Sequence, residues 1–409
     1  MFLHGSPFLQ NQVYAGETTY SSGSGTFNVP AGTTTLVIEA WGAGGGAASP
    51  PNSNGVGNGG GGGGGYAKKT ISSSSINSSY SYAVGSGGTA GTSPTSGGDS
   101  TVDTTLVIGE GGGAGVYDAG GSGAGGSGGG GTGDLVYSGG DGAAGSGSYG
   151  GGGGGGAGSS SDGTDGSGTT GGTGGTGNTD GTGGDGGTGN NGDATASSAW
   201  GGGGGAGSGR SGLSTDGSSG YIRFTYYGVP TMSTQAVSDI EDTTATANGS
   251  IDDTGDRTVT ERGFAYMQGT SGDPTIASST VSSTGSFTSG SYTEQLTGLS
   301  SSTSYRVRAF ARNQEGIGYG TTVQMATLNG SPSVSLTTPS NLGTISDTTP
   351  TFVFSGSDPE GEDIRYNLNL LGSSSSGDTA NTIDDPSNFY KNESFVNGRQ
   401  VLRDSNGDL

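Results

Sequence analysis

Short runs that alternate apolar and polar residues predict β-strands at both ends of the first 228 residues. The runs 35–41 and 221–227 are rich in β-branched and aromatic residues, which favour strands. Shorter runs of the same kind lie at 66–71, 79–84 and 100–108. No strand is predicted in residues 1–24. Because glycine tracts separate the strands, the pattern predicts a small β-sandwich scaffold that carries long glycine loops.

Residues 229–327 also alternate, but without glycine tracts. In the strongest run, 304–311, Val307 and Ala309 are predicted to face inward and the neighbouring arginines outward. Leu299 precedes Tyr305 by six residues, and this spacing is similar to that of fibronectin type III modules. The resemblance implies that Tyr305 is a structural corner tyrosine, whose hydroxyl bonds back to the main chain.

Residues 331–409 resemble a second module of the same fibronectin-like or immunoglobulin-like kind. Alternating runs at 332–336, 349–354 and 364–370 predict its strands, but the late strand of the preceding module has no counterpart. Either the module is incomplete or the chain is a fragment of a longer one. The predicted organisation of this all-β chain is an N-terminal lead (1–15), a glycine-rich domain (16–228) and two sandwich domains (229–328 and 329–409).

Glycine content distinguishes the two halves of the chain. Of the 97 glycines, 19 follow Gly228. Collagen would need abundant proline and an unbroken triplet, yet only five prolines precede Gly228 and no strict triplet runs through the region. Low-complexity tracts of glycine, serine and threonine are often flexible. A flexible linker and a packed domain are therefore the alternatives, and the flanking strands favour the packed domain.

One glycine-rich stretch, 162–191, repeats with a period of three. Its third positions are all polar and are Thr164, Ser167, Thr170, Thr173, Thr176, Thr179, Thr182, Asp185, Thr188 and Asn191. Three residues per turn is the period of the polyproline-II conformation. The repeat predicts packed helices of polyglycine-II type, with one polar edge and two bare glycine edges across which backbones hydrogen-bond. Turn-forming residues at 178–181 and 190–193 predict several short helices.

The order of motifs in this half resembles the glycine-rich domain of phage tail fibres and tail adhesins. The motifs are Phe27-x-Val29-Pro30-Ala31-Gly32, Leu36-x-Ile38-x-x-Trp41 with the glycine run behind it, the glycine run before Tyr66, Ala83-Val84-Gly85, and Gly220-Tyr221-Ile222-Arg223-Phe224. The resemblance covers about residues 16–228. It implies a scaffold in which Trp41 is structural, polyglycine-II packing, and distal loops that contact a host surface.

Charge and composition exclude several classes of protein. A net charge of −22 leaves no basic footprint for nucleic acid. The absence of cysteine excludes disulfides, thiol catalysis and cysteine-ligated metals. No stretch approaches the length of a membrane span, so membrane insertion is not expected. The N-terminus lacks the charged and apolar regions of a signal peptide, which favours a virion protein because such a protein needs no export signal.

Few residues could carry out catalysis. His4 is the single histidine, so Ser-His and Cys-His nucleophilic systems are excluded. The carboxylates lie in predicted turns, without the apolar setting that raises the pKa of a glycosidase acid. No Gly-Lys-Ser/Thr sequence follows the glycine runs, which excludes a phosphate-binding loop of that type. The sequence therefore predicts no catalytic residue and no enzyme.

Two groups of residues are candidates for binding. Asp358, Glu360 and Asp363 cluster in one predicted turn and could contribute to a Ca²⁺ site; an ordinary turn is the alternative, because Ca²⁺ needs six to eight oxygens. No other cofactor is predicted. Tyr117, Tyr137 and Tyr149 lie inside glycine loops, where an aromatic ring can stack on a sugar or anchor a protein partner. Packing on the scaffold is the alternative for these tyrosines.

These features lead to an expectation of function. The chain is expected to be an adhesive part of a phage tail, a tail fibre or tail-tip appendage located in the virion. Its expected partners are a host-surface glycan or outer-membrane protein and other tail proteins. Fibre proteins are often homotrimers, but no heptad run indicates one here. A bacterial cell-surface or extracellular matrix adhesin is the alternative.

Overall fold

The computed structural model describes residues 16–49, 57–117, 126–146, 149–177, 200–202, 213–338, 353–362 and 364. These residues form twenty strands, and every pairing between named strands is antiparallel. The one helical element among them is a single 3-10 turn, Ser73–Ser75. The predicted all-β class is confirmed.

Two five-stranded sheets form the scaffold of the glycine-rich region. The first joins, in order across it, β1 (Gly16–Tyr20), β10 (Tyr221–Gly228), β3 (Thr33–Trp41), β4 (Tyr66–Ser72) and β9 (Leu135–Tyr137). The second joins β2 (Ser24–Asn28), β5 (Ser79–Ala83), β6 (Ser100–Val102), β7 (Val107–Gly109) and β8 (Gly131–Thr132). Because β10 lies between β1 and β3, both ends of the region are anchored in one sheet.

Alternation along the strands places apolar side chains between the two sheets. Ile38 of β3 and Phe224 of β10 are fully buried there. The ring of Phe224 stacks on Phe27 of the opposite sheet, with centroids 4.2 Å apart. Strand β1 forms where no strand was predicted, because its sequence is polar; pairing with β10 and the stacking of Tyr20 on Tyr82 hold it in place.

The glycine tracts extend from this scaffold as packed, extended segments that together form what we call the glycine lattice. Its segments are 42–49, 59–65, 85–91, 95–99, 110–116, 126–130, 138–145, 150–158, 160–167, 170–177 and 213–220. Within 42–48, every third N–H donates to the same neighbour: one series to 59–65, one to 95–98 and one to 215–218, at 2.8–3.3 Å. This is the period of three expected for polyglycine-II packing.

The centre of the glycine lattice has space only for glycine. A Cβ atom added anywhere in 60–65 would overlap the backbone of another segment. Positions 60 and 63 face 152–155, positions 61 and 64 face 42–45, and positions 62 and 65 face 127–130. Every edge of this helix therefore contacts another backbone, which explains the unbroken run of seven glycines at 59–65.

The triplet repeat lies at the edge of the glycine lattice. Its described third-position residues, Thr164, Ser167, Thr170, Thr173 and Thr176, are all exposed. The glycines between them, at 163, 166, 172 and 175, face neighbouring backbone atoms. The polar edge matches the prediction. The packed glycines all lie on one of the two other edges, and the remaining edge carries Asp162 and Asp165 as well as glycine. The chain reverses at 167–170, a turn that was not predicted; the turns predicted at 178–181 and 190–193 lie outside the described residues.

Acidic side chains accept backbone hydrogen bonds along the outside of the glycine lattice. The N–H groups of Ser138 and Asp141 donate to carboxylate oxygens of Asp162 and Asp165, at 2.6 and 2.8 Å. The N–H of Gly128 donates to the carboxylate of Asp141 at 2.7 Å. Because an outer segment has fewer backbone neighbours, a side chain supplies the acceptor that a buried segment receives from a carbonyl group.

Residues 231–326 form a two-sheet sandwich. One sheet joins β11 (Thr231–Ser238), β12 (Thr244–Asp253) and β15 (Gly290–Thr297). The other joins β14 (Ser279–Phe287), β13 (Val259–Gln268) and β16 (Ser304–Asn313), with β17 (Gly316–Tyr319) and β18 (Val323–Ala326) both paired to β16. Phe264, Leu296 and Val307 are fully buried between the sheets.

Tyr305 is buried near the start of β16. Its hydroxyl oxygen accepts hydrogen bonds from the N–H of Ser300 at 2.8 Å and from the side-chain amide of Gln268 at 3.1 Å. These two bonds tie the loop that precedes β16 to the neighbouring strand β13.

A joint between the scaffold and the sandwich is centred on Glu315, in the turn between β16 and β17. One carboxylate oxygen accepts from the hydroxyls of Thr34 and Thr35, at 3.0 and 2.7 Å, and the other accepts from Arg257 at 2.9 Å. The guanidinium of Arg257 lies 3.5 Å from the ring centroid of Tyr227. The Glu315 side chain is 8% exposed, so this contact is largely closed to water.

Backbone contacts extend the same joint. The side-chain amide of Asn313 donates to the carbonyl oxygens of Gly228 and Thr254, at 2.8 and 2.9 Å. The N–H of Gly228 donates to the carbonyl oxygen of Gly255 at 3.3 Å. Because the connection at residue 228 is itself hydrogen-bonded to the sandwich, the two domains are held in one relative orientation.

Strands β19 (Ser333–Thr338) and β20 (Val353–Ser357) pair as a two-stranded ribbon after the sandwich. The side chains of β19 are exposed, including Val334 at 59% and Leu336 at 40%. The run 364–370, predicted as a further strand, lies outside the described residues apart from Ile364. The rest of the predicted second module also lies outside them.

The glycine lattice predicts a sharp difference between two glycine substitutions. Gly63→Ala should destabilise the glycine-rich domain by about 3 kcal/mol, because its Cβ meets backbone atoms of Gly155 that have no side chain to move. Gly130→Ala is the matched control, since its Cβ meets only the flexible end of Glu110. Protease resistance of the domain in rising denaturant measures the difference. Equal resistance of the two variants would contradict the packing.

The joint is predicted to weaken in acid. Burial alone would raise the pKa of Glu315, but hydrogen bonds from Thr35, Arg257 and Thr34 outweigh it and hold this pKa below the ordinary 4.5. Because the folded-state pKa is the lower one, the stabilisation is complete above the unfolded-state value and is lost as the pH falls through the folded-state pKa. Small-angle scattering should show the domains separating in that acidic range.

At neutral pH, Glu315→Gln should reproduce the acid effect, because it removes the charge that pairs with Arg257. Glu294→Gln is the control, since that carboxylate bonds to Ser283 within the sandwich. A Glu315→Gln variant with an unchanged scattering profile would show that the joint does not depend on this ion pair.

Candidate functional site at the far end of the glycine lattice

The glycine lattice and the joint lie at opposite ends of β3. Thr34 and Thr35, near the start of β3, contact the sandwich, whereas Trp41 at its end is followed directly by lattice segment 42–49. At roughly 3.1 Å per residue, that segment extends about 20 Å from the scaffold. The far end of this lattice segment therefore lies away from the joint.

A belt of aromatic rings forms the base of the lattice. Trp41 lies 4.9 Å from Tyr66 and 5.5 Å from Tyr221, between ring centroids. Tyr221 stacks on Trp200 at 4.5 Å, and Tyr66 stacks on Tyr137 at 6.0 Å. Three of these rings lie side by side because Tyr221, Trp41 and Tyr66 are directly paired across β10, β3 and β4. The belt is therefore an apolar surface at the base of the glycine segments.

A buried ion pair lies beside the aromatic belt. Glu39 is 6% exposed and accepts from Arg223 and from the hydroxyl of Tyr66, both at 2.7 Å. Burial, and next the negative charge of Glu39, raise the pKa of Tyr66 far above its usual range. Both acceptor oxygens of Glu39 are occupied by donors inside the scaffold. This group therefore stabilises the scaffold. Sequence analysis named Arg223 only as part of the closing motif and did not single out Glu39 or Trp200.

Tyr117 and Tyr149 lie at the far end of the lattice. Tyr117 forms a β-bridge with the buried Asn58, and Tyr149 forms one with Ser146. Asn58 also accepts from the N–H of Gly151 at 2.8 Å, so the segments that carry both tyrosines meet at Asn58. Tyr149 is 53% exposed.

Two further apolar side chains lie at the same end. Val116, beside Tyr117, is 51% exposed, and Leu213 is 69% exposed. Leu213 is placed there by its neighbour Ser214, whose hydroxyl donates to the carbonyl oxygen of Ala48. We call Asn58, Val116, Tyr117, Tyr149 and Leu213 the tip. None of these five residues is charged, in a chain whose net charge is −22.

Tyr137, the third candidate, is not at the tip. It lies on β9, paired with Tyr66, and its half-buried ring belongs to the aromatic belt. The structure thus brings Tyr117 and Tyr149 together and places Tyr137 at the base of the lattice. The exposed valine and leucine of the tip were not predicted, because a single apolar residue in a glycine loop carries no pattern.

The acidic turn after β20 is occupied by hydrogen bonds within the protein. Asp358 accepts from the N–H groups of Glu360 and Glu362, at 3.0 and 3.2 Å, and Glu360 accepts from the N–H of Gly330 at 3.0 Å. Asp363 lies outside the described residues. Among the residues that are described, no group of three or more His, Cys, Asp or Glu side chains could hold a metal ion.

The tip offers contact surface, with no acid, base or nucleophile pair among its five residues. His4 lies outside the described part of the chain. No helix in the described ranges is long and apolar enough to cross a membrane. The arrangement can bind through ring stacking and apolar contact.

Comparison with known proteins agrees with the glycine-rich half of this picture. No curated protein matches the chain. Among solved structures, it is similar to the sensor domain of the anti-sigma factor RsgI4 from Pseudobacteroides cellulosolvens, with 13% identity, a TM-score of 0.18, and coverage of 24% of this chain and 94% of that chain. That likeness is too small to support an argument. A family model described as a glycine-rich domain matches residues 18–227, which include both scaffold sheets and the glycine lattice. The chain belongs to this glycine-rich domain family.

Proposed function

We propose that the protein is an adhesive component of a phage tail, a tail fibre or tail-tip appendage that contacts the host cell through the tip. The observation that carries the proposal is the exposure of uncharged apolar and aromatic side chains of the tip, Val116, Tyr149 and Leu213, at the far end of the lattice. Exposed aromatic residues are favoured anchors at binding surfaces. The resemblance of the motif order to tail-fibre domains supports the placement in a virion.

The sandwich fits the same proposal, in which it acts as a spacer. Its three-stranded and larger sheets, with Tyr305 bonded to the preceding loop, are similar to the fibronectin type III arrangement. The joint at Glu315 holds it rigidly against the glycine-rich domain. A rigid spacer keeps the tip directed away from the rest of an appendage, where other tail proteins would bind.

The absence of charge at the tip favours a contact that does not depend on ion pairing. Bacterial surfaces are generally anionic, and the acidic side chains of the lattice would be repelled by them. The acceptors Asp141, Asp162 and Asp165 lie along the sides of the lattice, whereas the five tip residues carry no charge. A neutral glycan or an outer-membrane protein loop fits this surface.

The proposal predicts that tip variants lose binding to host cells. Tyr149→Ala and Val116→Ser should each weaken binding of the purified protein by roughly tenfold or more, because a buried anchor contributes about 2 kcal/mol. Val136→Ser is a matched control: Val136 is 45% exposed, close to the 51% of Val116, but lies on β9 at the side of the scaffold. The affinity is measured by titrating each fluorescently labelled variant onto candidate host bacteria and recording the bound fraction.

Equal losses for Val136→Ser and Val116→Ser would contradict the assignment of the tip. Binding that survives both tip substitutions would do the same. The virion placement has a separate test, because mass spectrometry of purified phage particles should detect this chain. Its detection only in the envelope of uninfected bacteria would overturn the tail assignment.

A further inference from the structure

The dipeptide Asn329-Gly330 lies where the sandwich meets the β19–β20 ribbon. Leu328 is anchored to the sandwich, since its N–H donates to the backbone carbonyl oxygen of Glu241 and its own carbonyl oxygen accepts from the N–H of Ser302, at 3.0 and 2.9 Å. On the other side, the N–H of Gly330 donates to Glu360, in the turn that follows β20, at 3.0 Å. The peptide bond between residues 329 and 330 is therefore the point at which the two modules join.

Asparagine followed by glycine can rearrange spontaneously, and asparagine is among the thermolabile residues of proteins. The backbone nitrogen of the glycine attacks the asparagine side-chain carbonyl carbon and forms a cyclic imide. Glycine permits this attack because it has no Cβ to hinder the approach. The slow step requires removal of the proton from the glycine nitrogen, and a positioned base accelerates that removal.

Glu360 supplies such a base at this peptide bond. Its Oε1 accepts the hydrogen bond from the nitrogen of Gly330 that would have to lose its proton. Its Oε2 is buried and has no hydrogen-bond partner among the described residues. Asn329 itself is exposed, and its side-chain nitrogen donates to Glu362 at 3.3 Å. The attacking nitrogen, a proton acceptor and an accessible carboxamide therefore occur together.

The other described Asn-Gly pairs lack this combination. Asn248-Gly249 lies inside β12, between β11 and β15, and the Asn248 amide donates to Ala236 at 2.8 Å. Asn58 is fully buried in the glycine lattice, and the N–H of Gly59 donates to a backbone carbonyl, that of Val116. Within the described residues, the same dipeptide thus occurs in three settings, one of which presents its glycine N–H to a carboxylate.

We propose that Asn329 is a site of self-catalysed deamidation, with Glu360 as the general base. Glu360 takes the proton of the Gly330 nitrogen as that nitrogen forms a bond to Cγ of Asn329. The bond from Cγ to the side-chain nitrogen then breaks, and ammonia leaves with the proton returned by Glu360. Water opens the imide at either carbonyl, which gives aspartate or isoaspartate at position 329.

The modification would loosen the link between the two modules. A hydrogen-bond donor facing Glu362 is replaced by a second carboxylate, so attraction becomes repulsion between like charges. The isoaspartate product also inserts an extra methylene group into the main chain between two anchored residues. The orientation of the β19–β20 ribbon thus changes slowly and in one direction as the protein ages.

Peptide mass spectrometry of the full chain, incubated at neutral pH, tests the proposal. Trypsin releases 313–365 and 224–257, which contain Asn329 and Asn248 in separate peptides. Deamidation is measured as a mass increase of each peptide. It should be about a hundredfold faster at Asn329 in the first peptide than at Asn248 in the second, because general-base catalysis accelerates proton transfer by that order. In urea the two rates should converge, because both sites are then unfolded Asn-Gly pairs.

Variants identify the base. Glu360→Gln keeps a hydrogen-bond acceptor near Gly330 but cannot take its proton, and should slow the reaction at Asn329 by roughly tenfold or more. Glu294→Gln, a carboxylate elsewhere in the sandwich, should leave the rate unchanged. An unaltered rate in Glu360→Gln, or equal native rates at Asn329 and Asn248, would overturn the proposal.

The pH profile gives a test that does not depend on the folding of a variant. An Asn-Gly pair in urea should deamidate in proportion to hydroxide concentration. The native rate at Asn329 should instead level off as the pH rises, because the carboxylate replaces hydroxide as the base. A native profile parallel to that in urea would overturn the role of Glu360.

Discussion

The structure depends on one constraint: backbone N–H groups buried far from any sheet must still find acceptors. In the glycine lattice those acceptors are carbonyl groups of neighbouring segments, reached only where no Cβ intervenes. A tract that contacts backbone on every edge is therefore pure glycine, as at 59–65. A tract at the surface keeps glycine on the edge that packs and carries polar residues on the exposed edge, as at 162–177. One hydrogen-bonding rule thus produces two different sequence patterns.

The lattice has few apolar side chains of its own, so its ends must be fixed by other parts of the fold. The scaffold supplies this through the aromatic belt around Trp41 and through the buried pairing of Glu39 with Arg223. The joint at Glu315 then fixes the scaffold to the sandwich. These contacts connect the sandwich to the scaffold and the scaffold to the glycine lattice. In this way a chain with little apolar content holds the tip in a fixed position.

Sequence patterns predicted the all-β class, the strands that flank the glycine tracts and the period of three, because each leaves a repeating signal. They did not predict β1, whose polar residues are held by pairing with β10. Tyr137 looked equivalent to Tyr117 and Tyr149, since all three lie inside glycine-rich loops. Only the register of β9 against β4 separates it from them. Likewise, the tip is assembled from residues far apart in sequence, and such assembly depends on the lattice as a whole.

Amide hydrogen exchange across the glycine tracts tests the central claim most directly, because it reports whether backbone N–H groups are hydrogen-bonded without relying on side chains. The account predicts that segments 42–49, 59–65 and 150–158 exchange as slowly as strands β3 and β10 of the scaffold. Exchange in these glycine segments at the rate of an unstructured chain, with β3 and β10 still protected, would show that the tracts are flexible loops and that no lattice holds the tip.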